Sequence, residues 1–263
     1  MIAPGLATEW LSDDFGYSIR VRSTLLERTT PYQRLEVLDT PQLGHVLRLD
    51  GALQCSEADE FFYHEPLVHV PAMLHPAPRS ALVVGGGDGG AAEELLKHPG
   101  IEQVHLVEID GEVIEASRRH LQSVHRGLFD GAGGGRFSWE VADGLDYLQR
   151  SQQHFDLLVL DLTDPGGVSS ALYSEDFYRL CASRLAQGGW LSLHVAAPWL
   201  QPQRAATIVN RLRAAFPAVH PFLANVPLSG GPWLMACCSD RAVQADPACI
   251  GQRCLDLQGP ALR

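Results

Sequence analysis

Asp88, Glu108, Asp143 and Asp161 each stand where an apolar run gives out, and Asp164 lies in the turn just after the last of them. Carboxylates gathered at one edge of a sheet can hold a cation, accept a proton or grip ribose hydroxyls. The run Leu82-Val83-Val84 leads into Gly85-Gly86-Gly87-Asp88-Gly89-Gly90, and a helix-forming stretch from Ala91 to Lys97 follows at once. Glycines in such a turn allow positive φ and let a nucleotide-like ligand approach the backbone. A carboxylate inside the turn repels a pyrophosphate and attracts a positive group, so Asp88 points to a cationic nucleoside more than to a dinucleotide. Glu108, about 20 residues further on, takes the place of an acid that hydrogen-bonds ribose hydroxyls. Asp143 with Gly144 offers an acceptor for an adenine amino group and room for the ring. Asp161 is delivered by the apolar run Leu157 to Leu160, while Asp164-Pro165-Gly166-Gly167 forms a turn whose small residues, through Ala171, suit a mobile lid. Any single acid at a strand end is more often a helix cap, and Asp143 and Asp164 are open to that reading. Acids at successive strand ends argue for a ligand. The Asp161–Asp164 pair also suits Mg²⁺, but no phosphate-binding lysine or hydroxyl follows the glycine turn, so no metal is expected.

These residues need a frame that brings strand ends together. From Ser80 onward the chain alternates strand and helix patterns. Strands are expected at Ala81–Gly85, Gln103–Glu108, Phe137–Val141, Phe155–Asp161 and Trp190–Val195, with helices at Glu112–Leu121, Glu175–Leu185 and Gln203–Phe216. Glu93 and Glu94 early, and Lys97 and His98 late, suit the dipole of the first helix, which Pro99-Gly100 stops. Runs near Val219–Val226 and Trp233–Ser239 are joined too closely for a parallel crossover, so they form an antiparallel pair. The fold class is therefore α/β, a Rossmann-like doubly wound sheet, mostly parallel with an antiparallel edge. A small β-rich unit precedes it. Ser18–Leu26, Arg34–Leu38 and Gly44–Leu49 alternate polar and apolar residues, and Asp50-Gly51 is a hairpin signal. Ser56 with Asp59 suggests a capping box for a helix carrying Phe61 to His64, which Pro66 and Pro71 should limit or kink. The expected division is a β-rich unit at 1–60 and a catalytic unit at 61–263. Gly131 to Gly135 reads as a surface loop.

Of the 263 residues, 46% are hydrophobic and 19% charged, as in an ordinary globular protein. The net charge of −11 disfavours a nucleic-acid partner and suits cationic ones. No apolar run approaches the ~20 residues that span a bilayer. Met1 to Gly16 lacks a basic stretch followed by an apolar core, so a cytoplasmic protein with reduced thiols is expected. The six cysteines lack zinc-like paired spacing, and nothing supplies further ligands for Cys249 and Cys254.

Taken together, Tyr32-Gln33, Leu49-Asp50-Gly51, Asp59-Glu60-Phe61 with Tyr63-His64-Glu65, Gly85 to Gly90, Val107-Glu108-Ile109-Asp110, Asp143-Gly144 and Asp161 with Asp164-Pro165 occur in one order. In that order the chain resembles the spermidine synthases, polyamine aminopropyltransferases on a methyltransferase-like Rossmann fold, from Trp10 to about Ser239. The resemblance implies transfer of the aminopropyl group of decarboxylated S-adenosylmethionine, a co-substrate rather than a cofactor, to a diamine such as putrescine. It implies that Gln33, Glu108, Asp143 and Gly144 contact the methylthioadenosine part, and that Asp88 and Asp161 hold the aminopropyl end. Tyr63, His64 and Asp164 would face the amine, with Asp161 taking its proton. It also implies an N-terminal β unit used in assembly, commonly as a dimer. Four positions depart from the family pattern: Glu93 stands for arginine, Val168 for proline and His194 for glutamine, and Val226 to Gly231 lacks a tyrosine after its proline. The last departure bears on the acceptor more than on the donor. Three other functions fit less well. An amine N-methyltransferase using intact S-adenosylmethionine would bring the donor's carboxylate toward Asp88. A nonreactive polyamine-binding paralogue would not need Asp161. A nicotinamide oxidoreductase would set its pyrophosphate against Asp88. The fold does not choose among them.

Overall fold

The computed structural model describes residues 5–165, 167–242 and 247–257. The chain begins with a hairpin of β1 (Gly5–Trp10) and β2 (Gly16–Val21), which pair only with each other. A four-stranded antiparallel sheet follows, in the order β3 (Ser23–Thr29), β4 (Arg34–Thr40), β5 (Gly44–Leu49) and β6 (Ala52–Ser56). The single strand expected over Ser18–Leu26 is thus two strands, divided at Arg22, whose N–H donates to the Asp39 carbonyl. Asp50 and Gly51 both take positive φ, 48° and 89°, as the tight turn between β5 and β6 requires.

Helix α1 (Phe61–Leu74) contains both Pro66 and Pro71 and still runs to Leu74, so neither proline limits it. Its buried Leu67, Val68, Pro71 and Ala72 explain the persistence, because packing against the sheet outweighs the missing N–H donors. Ser56 and Asp59 do form their reciprocal pair, Oγ to Oδ1 at 2.5 Å and the Asp59 N–H to Oγ at 3.3 Å. That pair closes the turn before the helix, whose cap position falls to Glu60.

The remaining strands, β7 (Ser80–Gly85), β8 (Gln103–Glu108), β9 (Phe137–Val141), β10 (Phe155–Asp161), β11 (Leu185–Ala196), β12 (Ala218–Val226) and β13 (Gly231–Ser239), form one sheet ordered β12-β13-β11-β10-β7-β8-β9. The pairs from β11 to β9 are parallel, and β13 joins β11 and β12 in antiparallel fashion. Strand order reverses between β7 and β10, where ligands of doubly wound sheets bind. Helices α2 (Gly90–Leu96), α3 (Gly111–His120), α4 (Gln122–His125), α5 (Gly144–Arg150), α6 (Glu175–Arg184), α7 (Pro202–Ala215) and α8 (Pro247–Leu255) complete the layers. Residues alternate along β7: Val83 packs with Leu67, Val68 and Leu95 on one face, while Leu82 and Val84 pack with Leu148, Phe177 and Tyr178 on the other. Burying such side chains contributes about 1.5–3 kcal/mol each.

Glu94 in α2 and Lys97 at its C-terminal cap do more than complement the helix dipole. Both are buried, with Lys97 Nζ 2.6 Å from Glu94 and 3.1 Å from Glu93, and His69 3.0 Å from Glu94. Burial alone would raise the Glu94 pKa, but the hydrogen bonds from His69 and Lys97 hold it down at about 2. Residues 131–135 end in a short 3-10 turn, Gly134–Arg136. The thiols of Cys55, Cys181, Cys237 and Cys238 are free and buried, Cys254 is free and partly buried, and the side chain of Cys249 lies outside the described residues. No described helix is long and apolar enough to cross a membrane.

Candidate active site

Register places the site. Asp161 pairs with Gly85 across β10 and β7, and the Asp161 carbonyl accepts the Gly86 N–H at 2.8 Å. Gly85 and Gly86 take φ of 81° and 67°, and a side chain at Gly85 would run into that carbonyl. The glycine turn therefore brings Asp88 over the end of β10. A cleft of about 1270 Å³, open mouth included, lies above these ends, and all nine expected site residues except His64 line it: Gln33, Tyr63, Asp88, Glu108, Asp143, Gly144, Asp161 and Asp164. His64 sits one layer deeper and touches the cleft's carboxylates.

At the centre, His64 Nε2 is 3.5 Å from Asp88 Oδ1 and 3.8 Å from Asp161 Oδ2, while Nδ1 is 3.0 Å from Glu60. Burial would lower the His64 pKa. The charges of Asp88 and Asp161, and the Glu60 hydrogen bond, outweigh it and raise the pKa to about 10, so the ring carries a positive charge at neutral pH. Asp161 moves the other way from an ordinary carboxylate. Burial, then the charge of Asp88, push it up, against the pull of His64, Tyr63 and His194. Its Oδ2 is buried without a hydrogen-bond partner in the protein. One atom each from His64, Asp88 and Asp161 lie within 4.8 Å of one another, a spacing that also suits a metal ion.

Toward the sheet's far edge, Glu108 is buried and accepts the Asp110 N–H at 2.9 Å. Burial raises its pKa to about 7, with Asp110 and Asp161 adding to the rise. A carboxylate so placed gains most from a ligand that donates hydroxyl protons to it. Gln33 is buried and donates Nε2–H to Asp110 at 3.0 Å, which ties the four-stranded sheet to the end of β8. Asp143 caps α5, accepting the N–H groups of Leu145 at 2.7 Å and Asp146 at 3.2 Å through Oδ1, so the cap reading holds for it. Gly144 abuts Val84, and a side chain there would overlap it.

Toward the other edge, His194 is buried with Nδ1 2.8 Å from the Tyr63 hydroxyl and Nε2 2.9 Å from that of Tyr173. Asp164 makes no capping hydrogen bond among the described residues. Its carboxylate is 3.6 Å from His194 Nε2 and 3.6 Å from Arg204. The segment expected as a lid begins with Gly166, outside the described residues, and continues as the 3-10 helix Gly167–Tyr173, where Ser169 hydrogen-bonds Thr163. Sequence reasoning gave Glu60 no role beyond its place in the Asp59-Glu60-Phe61 motif and passed over Tyr173, Arg204, Tyr17 and Glu9. Glu60 could have been found as the residue four before His64 on a helix. The turn signal Ser12-Asp13-Asp14 could have marked the hairpin that carries Glu9 and Tyr17.

Residues 60–247 match the spermine/spermidine synthase domain, and residues 6–57 match the spermidine synthase tetramerisation domain. A polyamine aminopropyltransferase of Nitrosomonas europaea is 45% identical over 255 residues, covering 97% of this chain and 77% of the relative. One from Thermoanaerobacter sp. strain X514 is 38% identical over 228 residues, covering 85% of this chain and 79% of the relative. Among solved structures, the spermidine synthase of Thermotoga maritima superposes with a TM-score of 0.84 at 31% identity, covering 96% of this chain and 82% of that one. A spermidine synthase in complex with the transition state analogue AdoDATO gives 0.85 at 31% identity, covering 96% and 83%. With matches of this extent on both units and on the fold, the chain belongs to the spermine/spermidine synthase family.

Proposed function

We propose that this enzyme transfers the aminopropyl group of decarboxylated S-adenosylmethionine to a diamine, putrescine first, giving spermidine and methylthioadenosine. The observation that carries the reading is the buried, mutually repelling pair Asp88 and Asp161, with Asp161 Oδ2 unpartnered at the switch point of the sheet. Such a pair is relieved by a cation, and both the sulfonium donor and the ammonium acceptor bring one. An alkyl amine titrates near ~10.4, so its neutral form at pH 7 lies about 4–5 kcal/mol uphill. Asp161 takes the proton; the nitrogen lone pair attacks the methylene beside sulfur; the carbon–sulfur bond breaks, and its electrons neutralise the sulfonium. Burial raises the proton affinity of Asp161 above that of a surface carboxylate, which brings the transfer closer to balance. Alignment of amine, carbon and sulfur supplies much of the remaining rate.

In this reading Gln33, Glu108, Asp143 and Gly144 hold methylthioadenosine, Asp88 and Asp161 the aminopropyl end, and Tyr63 and Asp164 the acceptor, while the charged His64 ring, one layer deeper, acts through the carboxylates of Asp88 and Asp161 rather than on the amine itself. Residues 1–60 serve assembly and 61–263 catalysis, in a homo-oligomer built through the N-terminal unit, as the tetramerisation match suggests. A cytoplasmic location suits a small-molecule enzyme of this kind. Asp88 weighs against intact S-adenosylmethionine, whose carboxylate would meet it.

The test is product analysis by mass spectrometry with the decarboxylated donor and a panel of amines. Spermidine and methylthioadenosine should appear with putrescine. Calorimetry should show methylthioadenosine binding far tighter than NAD or S-adenosylmethionine. Equal binding of NAD, or methyl transfer to the amine, would sink the reading.

A further inference from the structure

His194, near the end of β11, lines the cleft with both ring nitrogens engaged by tyrosines. Both tyrosines keep their protons at neutral pH. Burial, and then the charge of Asp161, push the Tyr63 pKa well up; burial, and then the charge of Asp164, do the same for Tyr173. Each hydroxyl therefore has one proton to give. The Tyr173 proton goes to the Thr163 carbonyl at 3.0 Å, since a carbonyl only accepts. The Tyr173 oxygen must then accept from His194 at 2.9 Å, which puts a proton on Nε2. Asp164 Oδ1, 3.6 Å from the same nitrogen, favours that placement, while Arg204 beside Asp164 offsets its charge.

Nδ1 is left either to take the Tyr63 proton or to carry one of its own. Two groups compete for that hydroxyl hydrogen, because Tyr63 also acts on Asp161 and lowers its pKa. The geometry favours His194. The Tyr63 hydroxyl is 2.8 Å from Nδ1, while Asp161 Oδ2 stands without a hydrogen-bond partner in the protein. A doubly protonated ring would instead donate to Tyr63 and turn its proton out toward that oxygen.

We propose that His194 is a positioning residue: uncharged, with its proton on Nε2, it holds the Tyr63 proton at Nδ1. Tyr63 then shows only lone pairs to the cleft. The assignment rests on the proposed aminopropyl transfer and adds to it the polarity of the amine's surroundings. An arriving ammonium carries N–H donors alone, so acceptors must meet it. Tyr63 supplies one and Asp161 another. With the direction reversed, Tyr63 would donate to Asp161, compete with the amine there and lower the carboxylate's affinity for a proton. One ring, accepting on one side and donating on the other, keeps the base free.

The first test reads the ring itself. Nitrogen NMR of the unliganded wild type at the assay pH should show His194 protonated on Nε2 and bare at Nδ1, its signals identified by their loss in His194→Gln. A ring protonated on both nitrogens, or on Nδ1 alone, overturns the proposal. The second test reads the amine. In His194→Leu the kcat/KM for putrescine should fall about 10- to 100-fold, the usual worth of a hydrogen bond to a charged group. His194→Gln, whose amide also offers one acceptor and one donor, should recover most of that loss. In a Tyr63→Phe background the step from His194 to leucine should cost no more than roughly threefold, because the hydroxyl it orients is gone. An equal cost in both backgrounds is the mark of a purely structural residue and overturns the proposal, as does His194→Leu with wild-type kcat/KM. Thermal melts report that each variant folds; if His194→Leu does not, the wild-type ring still decides. Wild type that transfers aminopropyl to no amine overturns the functional reading, and this inference with it.

Discussion

Asp161 and Asp88 share one low-dielectric pocket with a charged imidazole, so each charge there is set by the others. His64 neutralises part of the pair and leaves net negative charge for an incoming cation. Asp161→Asn keeps the shape and removes the proposed proton acceptor. Turnover should fall by about 10²–10⁴, the worth of a positioned general base. Methylthioadenosine binding should stay within a small factor, because Glu108 and Gln33 lie at other strand ends. Steady-state rates beside calorimetric titrations check both; near wild-type turnover would place the base elsewhere. At this scale the sequence was informative, since a carboxylate at a strand end is visible as the last residue of an apolar run. It marked His194 only as a departure from the family pattern and was silent on its two tyrosine partners, which come from α1 and from the 3-10 helix after β10.

Elements hold these groups by tight fit as much as by hydrogen bonds. Gly90 opens α2 directly beneath the His64 ring, and a Cβ there would sit 2.8 Å from Nε2 and closer still to Cε1 and Nδ1. Alanine ordinarily stabilises a helix relative to glycine by roughly 0.5–1 kcal/mol. Here it must displace a ring bound to Glu60 and faced by Asp88, so Gly90→Ala should instead destabilise by about 1–3 kcal/mol and lower turnover at least tenfold. Thermal melts and initial rates check this; a more stable, fully active variant would show that His64 is free to move. Strands β8, β9 and β10 were legible to the residue because β10 is a mostly apolar run, β8 and β9 mix apolar and polar residues in near alternation, and turn residues follow all three. Two features were not. The span of α1 is decided by burial that overrides its prolines, and α5 is short, with few buried residues to give a pattern.

For the molecule as a whole, the same buried groups govern stability against pH. His64 has its pKa raised from 6.5 to about 10 on folding. A raised pKa gives stability that is complete below the unfolded value and is lost as pH climbs through the folded one. Between pH 7 and 9 the unliganded protein should therefore lose on the order of 2 kcal/mol. Above that, the buried thiols, whose pKa values burial raises, add a loss of the same sign. Denaturant melts at pH 7, 8 and 9 read the effect, and His64→Gln should flatten it. A wild-type curve flat over this range would mean that the ring is neutral. At this largest scale the α/β class and the antiparallel edge could be read from connection lengths. The docking of the first hairpin could not, because its partners are distant in sequence.

That docking has a consequence for the order in which the protein is made. Tyr17 and Leu228 are 211 positions apart, and the bond between them closes nearly the whole chain into a loop. The glycine turn, Glu108 and Asp161 are all in place once β10 is added to β7 and β8, and none of them needs the last strands. Closing a long loop carries an entropic cost that must be met before its contacts reward it. A growing chain can thus assemble the carboxylate-bearing end of its cleft well before the opposite wall, and the wall bearing Glu9 can settle only when β12 and the turn behind it have emerged. The first hairpin to be made is among the last elements to find its place.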